Sequence, residues 1–244
     1  MQHDAKIRDE MTYTSPTTGD RVGLSFIKPT TSRELEQRRV MITNWARVTK
    51  GMMGRTPDFL NVSFMAMAAA GDYFGQNRPE FKKNIQDYYE HIRENDLVLT
   101  HTLVNLQRSR APVGSVIEDS TDIALSVVKE TDSGIVVNGA RLLATLPLSD
   151  EIAVYPARSH VLPLGAPGLP SFAFSIPCSS PGLKFLCRES FDLDRSHFDH
   201  PLGSRFEEMD ALAIFDNVAV PWEKVFLLGD VELCNNMSMN TRQF

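Results

Sequence analysis

The sequence predicts an α+β protein, with a helical N-terminal part over residues 1–96, a β domain over 97–229 and a short segment, 230–244, that starts a further helix. Two observations carry this prediction. Apolar residues recur at helical spacing as far as Asn95, and from Leu97 they alternate in short runs. In the second region those runs are separated by turn clusters (TDSG, PLGAPG, SSPG), the punctuation of antiparallel strands. The chain has 244 residues, of which 42% are hydrophobic and 23% charged, enough apolar material for a sizeable core.

In the helical part, TSRE at 31–34 is a capping-box pattern. Thr31 can accept from the backbone N–H of Glu34, whose carboxylate reaches back. Leu35, Ile42, Trp45, Val48 and Met52 follow at helical spacing, and Gly51 and Gly54 end the run. Pro57 suits the first turn of a second helix running through VSFMAMAAA to Tyr73. Pro79 opens a third, with Phe81, Ile85, Tyr88 and Ile92 on one face. The expected role of these Met and aromatic stripes is core packing.

In the β part, the runs IALSVVKE, GIVVNGARLLAT, EIAVYPAR, SFAFSIPC, LKFLCRE and ALAIFDNVAV predict short strands in an antiparallel barrel or sandwich. No internal repeat or low-complexity tract interrupts them.

Composition narrows the function classes. A formal charge of −6 argues against nucleic acid or an anionic membrane as the main partner. No apolar run approaches the roughly 20 residues needed to span a bilayer, and MQHDAKIRDE is charged where a signal peptide is apolar. Cys178, Cys187 and Cys234 form no CxxC pair, so neither a zinc site nor a disulfide framework is expected, and a reducing cytoplasm is the expected location. His197 and His200 in SHFDHP lack a third ligand nearby and read as a loop hydrogen-bond network, not a metal site. His3, His91 and His160 read as surface residues. No Walker loop, nucleophile elbow or GxGxxG occurs.

One stretch departs from plain core. LVLTHTLVNLQRSRAP (97–112) places His101 inside an apolar, threonine-rich run that ends in Asn105, Gln107, Arg108 and Arg110. A histidine in such a strand needs a partner or a ligand, because a buried unsatisfied polar group costs about 1–3 kcal/mol. The guanidiniums add donors suited to anionic or hydrogen-bonding ring atoms. On these residues alone, a structural network and a ligand site remain equally open. Arg55 in GRTPDFLN poses the same choice, between capping a helix end or pairing with Asp58 and pointing into a cleft.

Together the stretches GMMGRTPDFLN (51–61), RENDLVLTHTLVNLQRSR (93–110), GIVVNGARLLATLPLSDEIAVYP (134–156), FDHPLGSRFEEMDALAIFDNVAVPWEKVF (198–226) and GDVELCNN (229–236) resemble the two-component flavin-dependent aromatic hydroxylases of the 4-hydroxyphenylacetate 3-monooxygenase oxygenase family. The resemblance implies an acyl-CoA-dehydrogenase-like fold, with N-terminal helices, a middle β-barrel and a C-terminal helical bundle that assembles a homotetramer. It implies FAD, supplied reduced by a separate flavin reductase, which reacts with O₂ to hydroxylate a phenol ortho to its hydroxyl. Carried over by motif, Arg55 and His101 are the expected catalytic residues, and Arg55, Phe59, His101 and Arg158 the expected substrate-binding set. His101, Gln107, Arg108, Ser109, Arg110 and Thr145 are the expected flavin contacts. Phe59 stands where many members have tyrosine, and Leu106 replaces a usual proline. The resemblance also implies that the chain is a fragment, starting within the N-terminal domain and ending before the bundle. Two other readings are a non-catalytic fragment or pseudoenzyme, and a 4-hydroxybutyryl-CoA dehydratase-like flavoprotein. The second needs closely spaced cysteines for an iron–sulfur cluster, and no cysteine precedes Cys178.

Overall fold

The computed structural model describes residues 4–52, 56–105, 123–156, 171–193, 196–207 and 209–242. It opens with a short helix α1 (Arg8–Met11), a two-stranded ribbon β1 (Thr12–Thr14) and β2 (Arg21–Gly23), and a 3-10 turn at Leu24–Phe26. Helices α2 (Ser32–Val48), α3 (Asp58–Ala69), α4 (Gly71–Gly75) and α5 (Pro79–Glu94) follow.

The capping box at Thr31 and Glu34 is formed. Pro79 sits in the first turn of α5, where its missing N–H has no intrahelical acceptor to lose. Phe81, Ile85, Tyr88 and Ile92 are all buried, as their spacing predicts. The second predicted helix is broken: α3 ends at Ala69 and α4 resumes at Gly71. The core expectation fails for α2, where Met41 is buried but Leu35 and Val48 are more than half exposed. This helix lies against α1 and the 3-10 turn at the margin of the fold, so its apolar stripe is largely uncovered within the described residues.

The β region begins with β3 (Leu99–Thr102) and β4 (Val104–Asn105). It continues through β5 (Ser126–Thr131), β6 (Gly134–Thr145), β7 (Glu151–Val154), β8 (Phe172–Pro177), β9 (Leu183–Cys187), β10 (Asp210–Pro221) and β11 (Val225–Leu228), and then α6 (Val231–Thr241). The strands form two sheets. In one, β6 pairs with β10 on one side and with β4 and β5 on the other, and β9 extends the order beyond β10. The other runs β11-β8-β7-β3.

This corrects the expected antiparallel barrel in two respects. No ladder among the described residues closes a barrel, and β3 pairs with β7 in parallel, from Leu99↔Glu151 to Thr102↔Val154. Parallel neighbours need a long crossover, and here the excursion through β4, β5 and β6 supplies it. One continuous core joins the inner faces of both sheets to the α3, α4 and α5 helices, with Phe64, Phe81, Val137, Phe174 and Phe215 buried completely or nearly so.

The two sheets are stitched along β3. Thr100 Oγ1 donates to the Thr145 carbonyl and Thr102 Oγ1 to the Leu142 carbonyl, both on β6. Period-two alternation turns these threonines toward β6 and leaves Leu99 and His101 on the opposite face. That alternation accounts for the threonine-rich composition of the strand.

Candidate functional site

His101 lies on the face of β3 that meets the start of α3. There a cavity of about 290 Å³ is lined by Thr56, Phe59, Leu60, His101, Thr145 and Leu146, among others, and most of its wall is apolar. The volume is at the small end of ligand pockets and suits a single-ring molecule. Phe59 reaches it because Pro57 caps α3 and places the ring in the first turn of that helix. Its centroid is 5.7 Å from that of His101, with the planes tilted by 46°.

Burial holds the His101 imidazole below its ordinary pKa of 6.5, because water no longer solvates its charged form. At neutral pH the ring is uncharged, with one nitrogen able to accept a hydrogen bond and the other able to donate.

Thr145 ends β6 and is gripped on two sides. Its carbonyl receives Thr100 Oγ1, and its own hydroxyl donates to Asp210 Oδ1 at 3.1 Å. A hydroxyl that spends its proton on a carboxylate keeps two lone pairs, so Thr145 can still accept from an N–H of a ring in the cavity. Leu146 follows at φ +58°, a left-handed backbone that is strained for a branched side chain. Its N–H bonds to the Met209 carbonyl, which holds it in that conformation.

Of the sequence-predicted residues, Phe59, His101 and Thr145 share this one cavity. Arg55, Gln107, Arg108, Ser109, Arg110 and Arg158 lie outside the described residues. The sequence reasoning missed Leu146, Asp210 and Tyr155, whose ring faces His101 at 6.0 Å. Leu146 left a trace in its Leu-Pro dipeptide, whereas Asp210 and Tyr155 looked like ordinary strand-end residues. No group of three or more His, Cys, Asp or Glu residues suited to a metal ion occurs among the described residues. His197 is exposed, and His200 accepts from Ser204 in a turn. His91 is half-exposed, with Nε2 3.7 Å from Glu151.

Residues 1–227 match the family described as 4-hydroxyphenylacetate 3-hydroxylase, N terminal. The chain belongs to this family. It is 47% identical over 234 residues to the 4-hydroxyphenylacetate 3-monooxygenase oxygenase component of Geobacillus sp. (strain PA-9), and 48% identical over 238 residues to that of Thermus thermophilus. The alignments cover 96% and 97% of this chain but 47% of each relative, so the chain spans about half the length of the curated relatives it matches. A crystal structure of such an oxygenase component complexed with FAD and 4-hydroxyphenylacetate superposes with a TM-score of 0.85 at 47% identity, over 99% of this chain and 49% of that one. An archaeal 4-hydroxybutyryl-CoA dehydratase superposes with a TM-score of 0.76 at 19% identity, a likeness of fold alone. No helix among the described residues is long and apolar enough to cross a membrane.

Proposed function

We propose that this chain belongs to the oxygenase component of a two-component monooxygenase that hydroxylates a phenol such as 4-hydroxyphenylacetate ortho to its hydroxyl. The observation that carries the reading is the single small cavity shared by His101, Phe59 and Thr145. Its apolar wall keeps water from a reactive oxygen species, and its polar groups are few and fixed.

In this reading the uncharged imidazole of His101 accepts the phenol proton. The Arg55 guanidinium stabilises the oxyanion that forms. Phe59 packs against the substrate ring, and Arg158 meets a carboxylate on the substrate's tail. FAD, delivered reduced by a separate flavin reductase, supplies the oxygen-activating chemistry when bound. His101, Gln107, Arg108, Ser109, Arg110 and Thr145 would hold it. The lone pairs of Thr145 Oγ1 suit a flavin edge that offers an N–H donor, and the remaining N–H of His101 suits a flavin acceptor atom. The divisions at 96/97 and 229/230, the homotetramer and the cytoplasmic location belong to the same proposal.

The test is product formation. The chain is mixed with FAD, NADH, a flavin reductase, O₂ and 4-hydroxyphenylacetate, and the catechol is quantified. In a full-length context, His101→Ala is expected to lower catechol formation about 10²-fold or more while leaving flavin reduction by the partner unchanged. Equal coupling of O₂ to product in wild type and variant would overturn the assignment of His101.

A further inference from the structure

The ring that faces His101 on the β7 side belongs to Tyr155, the first residue after that strand. The two rings lie within 8° of parallel, with centroids 6.0 Å apart. The parallel register explains the meeting. His101 is opposite Ala153, and Tyr155 projects from the same face two residues further on, the diagonal neighbour of His101.

Tyr155 is 3% exposed, and its hydroxyl has no hydrogen-bond partner among the described residues. A buried hydroxyl left unpartnered opposes folding, so the ring is not held by its polar tip. Its backbone is held. The β3–β7 ladder stops at Thr102↔Val154, and the next two carbonyls, of Leu103 and Tyr155, are gathered by one side chain. Arg141 Nη1 donates to Leu103 O at 2.9 Å and to Tyr155 O at 3.2 Å. Arg141 is 2% exposed, and its guanidinium lies 5.4 Å from the Phe172 ring centroid. Among the described residues no carboxylate pairs with this buried cation, and here it replaces the missing rungs of the ladder.

We propose that Tyr155 is a positioning residue for His101: its ring, fixed at the backbone by the Arg141 clamp, sets the plane of the imidazole that faces the cavity. Phe59 bounds the imidazole at its opening, and Tyr155 bounds it within the core. The importance of that plane for turnover rests on the proposed function, but the geometric relationship does not.

Selective ¹³C/¹⁵N-histidine labelling of the chain tests this, with His101→Gln identifying the His101 ring signals. Tyr155→Phe keeps the ring and removes only the unpartnered hydroxyl, so the His101 signals are expected to stay at their wild-type positions. Tyr155→Leu removes the ring, and the His101 signals are expected to broaden and their nuclear Overhauser contacts to Phe59 to weaken, beyond the shift that loss of the ring current alone produces, while the signals of the other histidines stay in place. Arg141→Met keeps much of the side chain's length but offers no donor to either carbonyl. It is expected to broaden the His101 signals in the same way, which decides the matter if the leucine variant fails to fold. His101 signals in a folded Tyr155→Leu protein that show the ring-current shift alone would overturn the proposal, as would equal changes in the phenylalanine and leucine variants. Adding 4-hydroxyphenylacetate to wild type separates the two readings. A site that does not bind the phenol leaves His101 unshifted, which counts against the proposed function. The variant spectra without ligand still decide the role of Tyr155.

Discussion

Lys224 Nζ lies 2.8 and 3.1 Å from the two carboxylate oxygens of Glu151, inside the angle between α5 and β7. Glu151 is 4% exposed, and the same ammonium sits 4.6 Å from the centroid of the Tyr88 ring. The Tyr88 and Ser175 hydroxyls are 2.6 Å apart, and the single Ser175 proton is shared between Glu151 and the Ile152 carbonyl. Burial and the neighbouring carboxylate together push the Tyr88 phenol well up, so it stays protonated. Removing one member leaves the others desolvated. Glu151→Leu is expected to cost about 3 kcal/mol, because an uncompensated ammonium is worse than no ion pair. Glu151→Leu with Lys224→Met should recover much of that loss. Urea titrations of the single and double variants check it, and a double variant less stable than the single would show that the pair itself drives stability.

A second expectation concerns Gly139, on β6 opposite Phe215. Its φ is +125°, and a Cβ there would lie 2.5 Å from the Ala124 carbonyl oxygen. That carbonyl cannot retreat, because Ala124 bridges Ala140 and the Ala140 N–H bonds to Ile123 O at 2.9 Å. Gly139→Ala is expected to cost roughly 3 kcal/mol from overpacking and backbone strain together. A melting temperature within a degree of wild type would contradict this account of the close approach.

These two cases also separate what the sequence made legible from what it concealed. The capping box at Thr31, the proline start of α5 and the β6 run were readable because each depends on a pattern within a few residues. The three- and four-residue spacing of Phe81, Ile85, Tyr88 and Ile92 named a buried face, and the fold supplied a sheet to cover it. The same kind of spacing in α2 named a face that the described residues leave open, because periodicity reports amphipathicity and not the covering partner. The parallel pairing of β3 with β7 was hidden since short apolar strands carry no mark of direction. In the site, His101 stood out as a polar residue in an apolar run, and family resemblance added Phe59 and Thr145. Tyr155 and Arg141 did not stand out, because the contact they make is created by where a ladder ends.

His101 should leave a signature in the pH dependence of stability. Its folded pKa is depressed below the unfolded 6.5, so between those two values the unfolded chain binds more protons than the folded one. Stability contributed at this position is therefore intact above about 6.5 and falls as the pH drops through that window toward the folded pKa. Carboxylates such as Glu94 and Glu207, held low by their hydrogen-bond partners, add acid losses of their own at lower pH. The comparison with His101→Gln isolates the histidine. Unfolding free energy measured from pH 7.5 down to 5 should fall more steeply in wild type than in the variant, and parallel curves would show that the imidazole is not desolvated in the fold.

The last expectation concerns Phe59, which is 45% exposed at the mouth of the cavity and faces the His101 ring at 5.7 Å. Phe59→Tyr adds one hydroxyl to a ring whose placement is set by Pro57 and the first turn of α3. At a half-exposed position the added hydroxyl carries no desolvation penalty when unbound. If the phenol oxygen of a substrate sits between Phe59 and His101, Phe59→Tyr offers it a donor. One such hydrogen bond contributes about 0.5–1.5 kcal/mol, so the dissociation constant for 4-hydroxyphenylacetate should fall about two- to ten-fold. Phenylacetate lacks the phenolic oxygen and should bind both proteins equally, which makes it the control for altered packing. An affinity gain shared by both ligands would place the new hydroxyl on the substrate's tail, and no gain for either would remove Phe59 from the wall nearest the reacting oxygen.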